Sequence, residues 1–248
     1  MSDHWEQFPC TIGDHSAFIA YDHGVRADLE SLPFEFFARF NVALLDPDDR
    51  GLPHGNEFSY LNEVEDFLSA QLQPSDGLQV GRVTTNGRRY FCFYTSLSSS
   101  ACAALTKSAG SLHGHRIELF HEPDPQRSHY WNDLFPTDDD WQVILDLRVQ
   151  NALVKEGDSL QTPRPIEHWA YFKTEPQRAA FIASVKDVFE GIDLYLTPEA
   201  KGGQFTAKLN HVGLPDYRSM NRTTLQLSRA ARENGGEYDG WETQVCKQ

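Results

Sequence analysis

The sequence contains only four cysteines among its 248 residues, and none of them belongs to a CxxC motif. Cys10, Cys92, Cys102 and Cys246 are scattered along the chain. A chain without a secretion signal keeps such thiols reduced, whereas small secreted domains gather their cysteines into disulfide frameworks. We therefore expect four structural thiols, buried or half-buried, rather than a redox pair.

Export signals and membrane-spanning stretches are also missing. The amino terminus, MSDHWEQFPC, has neither the basic start nor the apolar run of a signal peptide. No stretch approaches the roughly 18 consecutive apolar residues that a membrane-spanning helix needs. We expect a cytoplasmic protein that does not contact a membrane.

Positive charge is scarce, because 22 Lys and Arg residues face 36 Asp and Glu residues and the net charge is −14. Such a surface repels a phosphate backbone, which disfavours direct binding of nucleic acid. Arg88 and Arg89, next to the aromatic residues at 90, 91, 93 and 94, superficially resemble an RNA-stacking sheet, but alternate aromatics are also typical of core packing. The charge favours encounter with a basic partner such as a protein segment.

Sequence motifs of common catalytic sites are absent. There is no G-x-S-x-G around a nucleophilic serine, and neither G-x-x-x-x-G-K-[ST] nor G-x-G-x-x-G is present to hold phosphate. The cysteines have no local nucleophile signature. We therefore assign no catalytic residue and no cofactor, and we do not expect an enzyme.

What the sequence does contain is a β-α-β-β-α-β order of elements in its first half, preceded by a hairpin. A chain of this length favours two domains, since domains most often hold roughly 100–150 residues. Periodicity and turn residues predict a hairpin within 5–22 that turns at Gly13-Asp14, strands at 34–46, 77–85, 88–96 and 116–122, and helices at 58–72 and 98–109. This order predicts a ferredoxin-like α+β domain over residues 1–127.

A proline- and acid-rich stretch at 122–140, whose middle SHYWNDLF suits a short helix, is predicted to be the linker. The second domain, 128–248, opens with a helix that Thr137 caps and that buries Trp141, Ile144 or Leu145, Val149 and Leu153. Strands follow at 164–174, 191–198, 203–213 and 238–245, with helices at 175–190 and 216–234. The β-α-β-β-α-β order recurs, so two ferredoxin-like domains in tandem are predicted.

Four histidines, His113, His115, His121 and His129, are the best candidates for metal ligands. On a strand, His113 and His115 would face the same side, and imidazole is a common metal ligand. No cysteine lies nearby to complete a structural site of roughly four ligands. Ordinary loop and strand-start histidines are the favoured interpretation, so no metal site is assigned.

The acidic residues Glu57, Glu63, Glu65 and Asp66 lie on or next to the predicted helix at 58–72. Paired carboxylates at a set separation in a cleft would suit a hydrolase. A solvated polar face is the favoured interpretation. A metal-binding or hydrolytic enzyme built on these histidines and carboxylates remains the alternative function.

Two short segments of the second half are candidate binding residues. Glu167 and His168 are neighbours in an otherwise apolar strand, so they point to opposite faces and one of them is predicted to be buried. Tyr238, Asp239 and Trp241 belong to the final strand, where they either hold the scaffold or anchor an interface.

The second half resembles the family of the bacterial regulator of ribonuclease E activity B. The resemblance covers residues of about 138–246 and depends on EGDS (156–159), IEH (166–168) and YDGW.T (238–243). It implies a ferredoxin-like fold and inhibition of an RNA-degrading endonuclease by protein–protein contact, without catalysis. The first half resembles the uncharacterised family DUF695, through GLP (51–53), EVEDFL (63–68) and GRRYFCFY (87–94).

Overall fold

The chain folds into two compact units, Met1–Phe135 and Pro136–Gln248. The computed structural model describes residue 2 and residues 4–72, 75–189, 191–197 and 204–247. Each unit contains an antiparallel sheet and α-helices, so the protein is of the α+β class. Among these residues, no helix is long and apolar enough to cross a membrane.

The sheet of the first unit has six strands. They are β1 (Trp5–Ile12), β2 (His15–Asp22), β3 (Phe36–Ala43), β4 (Gly77–Thr85), β5 (Arg88–Thr95) and β6 (Ile117–Pro123), in the order β1-β2-β4-β5-β3-β6. The β1–β2 hairpin turns at Gly13-Asp14, and the β4–β5 hairpin turns at Asn86 and Gly87, whose φ angles are both positive as a type I′ turn requires. The hairpin β1–β2 joins the sheet through β2, which pairs with β4.

Two helices cover one face of this sheet. Helix α1 (Glu57–Gln71) and helix α2 (Ser99–His113) bury small and aliphatic side chains against the aromatic residues of β3 and β5. The Ser98 hydroxyl accepts a hydrogen bond from the Ala101 amide, which caps α2. The helix runs four residues beyond the predicted end at 109, until Gly114 ends it in the left-handed conformation.

The prediction of a linker over 122–140 is wrong for most of that range. Arg127 is buried and donates hydrogen bonds to the carbonyl oxygens of Leu29, Leu32 and Phe34. A π-helical turn follows over Tyr130–Leu134 and buries both end residues completely. Residues up to the end of this turn are therefore part of the core of the first unit.

The second unit starts with a helix and continues with four strands and two more helices. They are α3 (Asp138–Lys155), β7 (Arg164–Phe172), α4 (Glu175–Val185), β8 (Gly191–Thr197), β9 (Gln204–Gly213), α5 (Tyr217–Glu233) and β10 (Gly236–Thr243). The sheet order is β10-β7-β9-β8. The predicted helix at 175–190 ends earlier, at Val185, and continues only as a short 3-10 turn; positions 190, 198 and 203 of the predicted elements lie outside the described residues.

All three helices of the second unit pack on the same face of its sheet. Side chains of α4 and α5 form one core cluster with Ala170, Phe172, Ala207 and Leu209, while α3 and α5 form another with Ile166 and Trp241. These strand residues alternate along β7 and β9, as one face of a pleated sheet requires. The opposite face carries the intervening residues of the strands.

Candidate functional site

His113 and His115 do not lie on a strand, which corrects the geometry proposed for a metal site. His113 is the last residue of α2, and His115 follows the Gly114 cap. His113 Nε2 lies 2.8 Å from Glu63 Oε2, whereas buried His115 Nε2 lies 2.9 Å from Glu57 Oε1. Each imidazole thus has its own carboxylate partner.

The other two histidines also have separate partners. His121 Nε2 lies 2.9 Å from the Leu97 carbonyl oxygen. His129 lies between Asp133 and Glu122, at 2.7 and 2.8 Å; burial opposes its charge, but these two carboxylates outweigh burial and raise the pKa of His129. Within the described residues, no three His, Cys, Asp or Glu side chains are grouped so that they could hold a metal ion.

Two of the acidic residues on α1 are not solvated, contrary to the favoured interpretation of the sequence. Glu57 is buried, where its Oε1 also accepts a hydrogen bond from the Leu45 amide at 3.2 Å. Glu65 accepts from Gln79 Nε2 at 2.6 Å and pairs with Arg82 Nη1 at 2.8 Å. Glu63 and Asp66 are exposed. Glu63 nevertheless contacts His113, so three carboxylates of α1, those of Glu57, Glu63 and Glu65, make internal contacts in the first unit.

Glu167 and His168 point to opposite faces of β7. Glu167 forms an ion pair with Lys208 on β9 at 2.8 Å. His168 is fully buried, with Nδ1 at 2.7 Å from the Tyr238 hydroxyl and Nε2 at 3.1 Å from His211 Nδ1. Burial, reinforced by His211, lowers the pKa of His168 to about 3, so the imidazole is neutral at physiological pH.

The segment from Tyr238 to Trp241 forms a β-bulge at the edge of the sheet. The register with β7 shifts between Tyr238 and Gly240, and Gly240 has a φ of 121°. The bulge lets Tyr238 and Trp241 both face the helices, where they are 8% and 6% exposed, while Asp239 faces solvent. The two aromatics hold β10 against the core of its own unit.

The most polar part of this core centres on Asp146, which the sequence interpretation missed. The Trp241 indole Nε1 and Gln142 Nε2 each donate to Asp146 Oδ1 at 2.9 Å, and the Thr224 hydroxyl donates to Oδ2. Burial raises the pKa of Asp146, against the three hydrogen bonds, which favour the charged form. The side chain joins α3, α5 and β10.

The buried face of α3 agrees only in part with the predicted one: Ile144 and Leu153 are buried as predicted. Trp141 and Val149 are only half-buried, whereas Gln142, Asp146 and Gln150 are buried. Their four-residue spacing places them on one side of the helix. This polar stripe could have been found in the sequence by its four-residue spacing, but a search for apolar periodicity alone does not detect it.

The face of the second sheet opposite the helices forms a surface that we call the open face. It is defined by Glu167, Trp169, Tyr171, Lys208, Glu237 and Glu242. Lys208 lies over the Trp169 ring, with Nζ 5.4 Å from the ring centroid, while its charge is paired with Glu167. Glu237 and Glu242 are exposed on β10. The open face combines two half-buried aromatic rings with an excess of carboxylates.

Comparison with family models finds two matches that follow one another along the chain. Residues 3–135 match the family of unknown function DUF695, and residues 144–243 match the family described as Regulator of ribonuclease activity B. No curated protein matches the sequence. A crystal structure of an unknown protein from Galdieria sulphuraria is 11% identical over 84% of this chain and 99% of that chain, with a TM-score of 0.24; a likeness this remote bears on neither fold nor function.

Proposed function

Because the chain belongs to the family of unknown function DUF695, and because its second half matches Regulator of ribonuclease activity B, we propose that it is a non-catalytic regulator of a ribonuclease. The match over residues 144–243 is the observation that carries this proposal. The regulator acts by binding a protein, an RNA-degrading endonuclease with a basic segment, and it neither spans a membrane nor binds RNA itself.

The same proposal includes the fold. Numbered along the chain, the last four strands of the first unit have the order 4-1-3-2 from β6 to β4, and the strands of the second unit have the same order from β10 to β8. Helices connect the first strand to the second and the third to the fourth in both. We interpret both units as ferredoxin-like domains, the first with the additional hairpin β1–β2.

We assign partner binding to the open face and to the edge strand β10. Four carboxylates, those of Glu167, Glu237, Asp239 and Glu242, lie along this part of the sheet, and Lys208 is the cation among the residues that define it. Such an excess favours a basic segment through charge complementarity. Trp169 and Tyr171 supply aromatic area of the kind that anchors interfaces.

His168, Tyr238 and Trp241 have an indirect role in this proposal. Their side chains are buried and join β7 and β10 to each other and to Asp146. They position the carboxylates of β10 rather than contact a partner. The alternative of a metal or hydrolytic enzyme in the first unit has no such support, because His113 and His115 contact different carboxylates, those of Glu63 and Glu57.

The proposal is tested by the rate at which the host's RNA-degrading endonuclease cleaves a fluorescent RNA, with and without the purified full chain. We expect inhibition that weakens as salt rises, since screening reduces attraction between charged surfaces. The double substitution Glu237→Lys and Glu242→Lys should raise the concentration needed for half inhibition by about tenfold or more.

The matched control reverses two exposed carboxylates elsewhere in the second unit, Asp187→Lys and Glu233→Lys. It changes net charge equally, so it should leave inhibition close to that of the unchanged chain. Equal losses in both variants would reject the assigned surface. Absence of binding and inhibition at low salt would reject the function.

A further inference from the structure

A cleft of about 370 Å³ lies in the first unit, on the face of the sheet that α1 and α2 partly cover. Its volume is within the range of about 300–1,000 Å³ that is typical of small-molecule sites. The strands contribute Phe18, Ala20, Arg82, Thr84 and Arg89, which share one face because they are paired or alternate along β2, β4 and β5.

The additional hairpin creates this cleft. The core cluster under α1 and α2 contains residues of β3 and β5 but none of β1 or β2. The hairpin extends the same face of the sheet beyond the helices, and Phe58 and Asn62 on α1 with Leu52 form the opposite wall. The cleft is thus a product of the feature that distinguishes the first unit from the second.

Arg89 gives the cleft its chemical character. Its side chain is buried, with 8% of the residue exposed, and Nε donates to the Thr84 hydroxyl at 2.9 Å. Within the described part of the chain this is the only hydrogen bond of the guanidinium group, and no carboxylate forms an ion pair with it. Neither Nη group has a hydrogen-bond partner among the residues that the structure describes, and Arg89 lines the cleft.

The other two arginines of the cleft already have partners. Arg50 pairs with Asp48 at 2.9 Å, and Arg82 pairs with Glu65 at 2.8 Å. Burial and Arg82 lower the pKa of Arg89 to about 10, although Glu65 and Glu57 act in the opposite direction. Arg89 therefore remains charged at physiological pH, and no carboxylate of the described ranges pairs with it.

The walls point to an apolar body on the ligand. Phe18 and Phe58 line the cleft and are 38% and 50% exposed, which is large for phenyl rings. Leu52 and Ala20 add apolar surface, while Thr84 and Asn62 add polar groups. Apolar walls with a few placed polar groups are the usual composition of small-molecule sites.

We propose that this cleft binds a small organic monocarboxylate with an aromatic or branched apolar body. The carboxylate accepts hydrogen bonds from the two Nη groups of Arg89 in the bidentate geometry that a guanidinium group favours. The apolar body lies between Phe18 and Phe58. A phosphate group, with nearly two negative charges, fits less well because Glu65 and Asp48 already neutralise the neighbouring arginines.

The test uses the full chain, labelled with ¹⁵N, and the probe 3-phenylpropionate. Titration should move amide signals of β2, β4 and β5 around the cleft in a saturable way. The neutral analogue 3-phenylpropanamide has nearly the same shape without the charge, and it should bind about tenfold more weakly or worse. Inorganic phosphate should give smaller shifts than the carboxylate.

Two variants complete the design. Arg89→Gln removes the charge and should abolish the preference for the carboxylate over the amide. Arg88→Gln is its neighbour on the opposite face of β5, where Arg88 pairs with Glu118, and it should keep the preference.

Three results would overturn the proposal that the cleft binds a monocarboxylate. Equal binding of acid and amide by the unchanged chain would overturn the proposal even if Arg89→Gln fails to fold. An absence of shifts with the carboxylate would do the same, and so would larger shifts with phosphate.

Discussion

At the scale of single residues, buried polar groups determine how the second unit is held together. Asp146 accepts hydrogen bonds from three side chains on three elements, and His168 connects Tyr238 to His211. A buried polar group that loses a partner costs about 1–3 kcal/mol. These contacts therefore specify the position of β10 more strictly than apolar packing alone would.

The neutral state of His168 predicts how stability depends on pH. The folded pKa is about 3, below the ordinary value of 6.5 that the unfolded chain restores. As pH falls below about 6.5, the His168 imidazole is protonated in the unfolded state, whereas in the folded state it stays neutral down to about pH 3. Above about pH 6.5, His168 makes its full contribution to the free energy of unfolding. Between about pH 6.5 and pH 3, this free energy falls by about 1.4 kcal/mol for each unit by which the pH falls.

Urea unfolding of the full chain and of the variant His168→Gln, from about pH 7 to about pH 4, measures this contribution. Because glutamine does not titrate, the difference in free energy of unfolding between the two proteins should shrink with that slope as pH falls. Asp146, whose pKa is raised, acts in the opposite direction in both proteins and cancels in the comparison. Parallel curves would contradict a buried neutral imidazole.

At the scale of elements, the order of helices and strands was predictable because each element carries its own periodicity and turn residues. Asn86-Gly87 and Gly13-Asp14 marked the hairpins correctly. The end of α2 at Gly114 was missed because polar Ser and His residues occupy its last turn. His113 and His115 were then placed on a strand, and a metal site became a candidate.

The site itself was less predictable than the fold. The sequence predicts that one of Glu167 and His168 is buried, since alternation along an apolar strand places one of two neighbours inside, and the buried one is His168. The sequence does not predict the Asp146 contacts or the cleft at Arg89, because both depend on which distant elements pack together. Glu57 shows the same limit: its burial follows from contact with His115, which is 58 residues away.

Close approach of two elements predicts the effect of Gly81→Ala. A Cβ atom at Gly81, next to the bulge in β4, would lie 2.7 Å from Leu134 Cδ1 and 3.1 Å from the Ala20 carbonyl oxygen. Overpacking of this kind typically costs about 1–3 kcal/mol, so thermal or urea unfolding should show a loss of that size.

The control is Gly191→Ala, whose Cβ would keep an ordinary 3.6 Å from Asn210 Nδ2. It should change the free energy of unfolding much less. The double variant Gly81→Ala with Leu134→Ala should lose less than the two single losses added together, because the smaller side chain removes the overlap. Strict additivity would show that Leu134 does not pack on β4 as described.

At the scale of the whole molecule, each unit has its own hydrophobic core. One cluster joins α1 and α2 to β3 and β5, and two others join the helices of the second unit to its sheet. A separate core is the physical condition for independent folding. We propose that the two units are independent domains, so the cleft at Arg89 and the open face belong to parts of the chain that can be tested apart.

The extent of the first domain is decided by comparing two fragments, residues 1–135 and residues 1–127. The shorter fragment, which ends at the boundary that composition predicts, lacks Tyr130 and Leu134, whose side chains are fully buried. It also lacks the Tyr130 hydroxyl that donates to the Asp22 carbonyl oxygen at 2.8 Å. Truncating buried side chains of this size typically costs about 2–5 kcal/mol each.

We expect fragment 1–135 to give a dispersed ¹H–¹⁵N spectrum and a cooperative thermal transition. Fragment 1–127 should melt at a much lower temperature or remain unfolded, since such losses are comparable to the whole stability of many domains, about 5–15 kcal/mol. Fragment 136–248 should fold without these residues, because the two core clusters that its described residues form contain none of them. If the two amino-terminal fragments were equally stable, the π-helical turn would be a linker, and the composition of the sequence would have located the boundary better than the packing does.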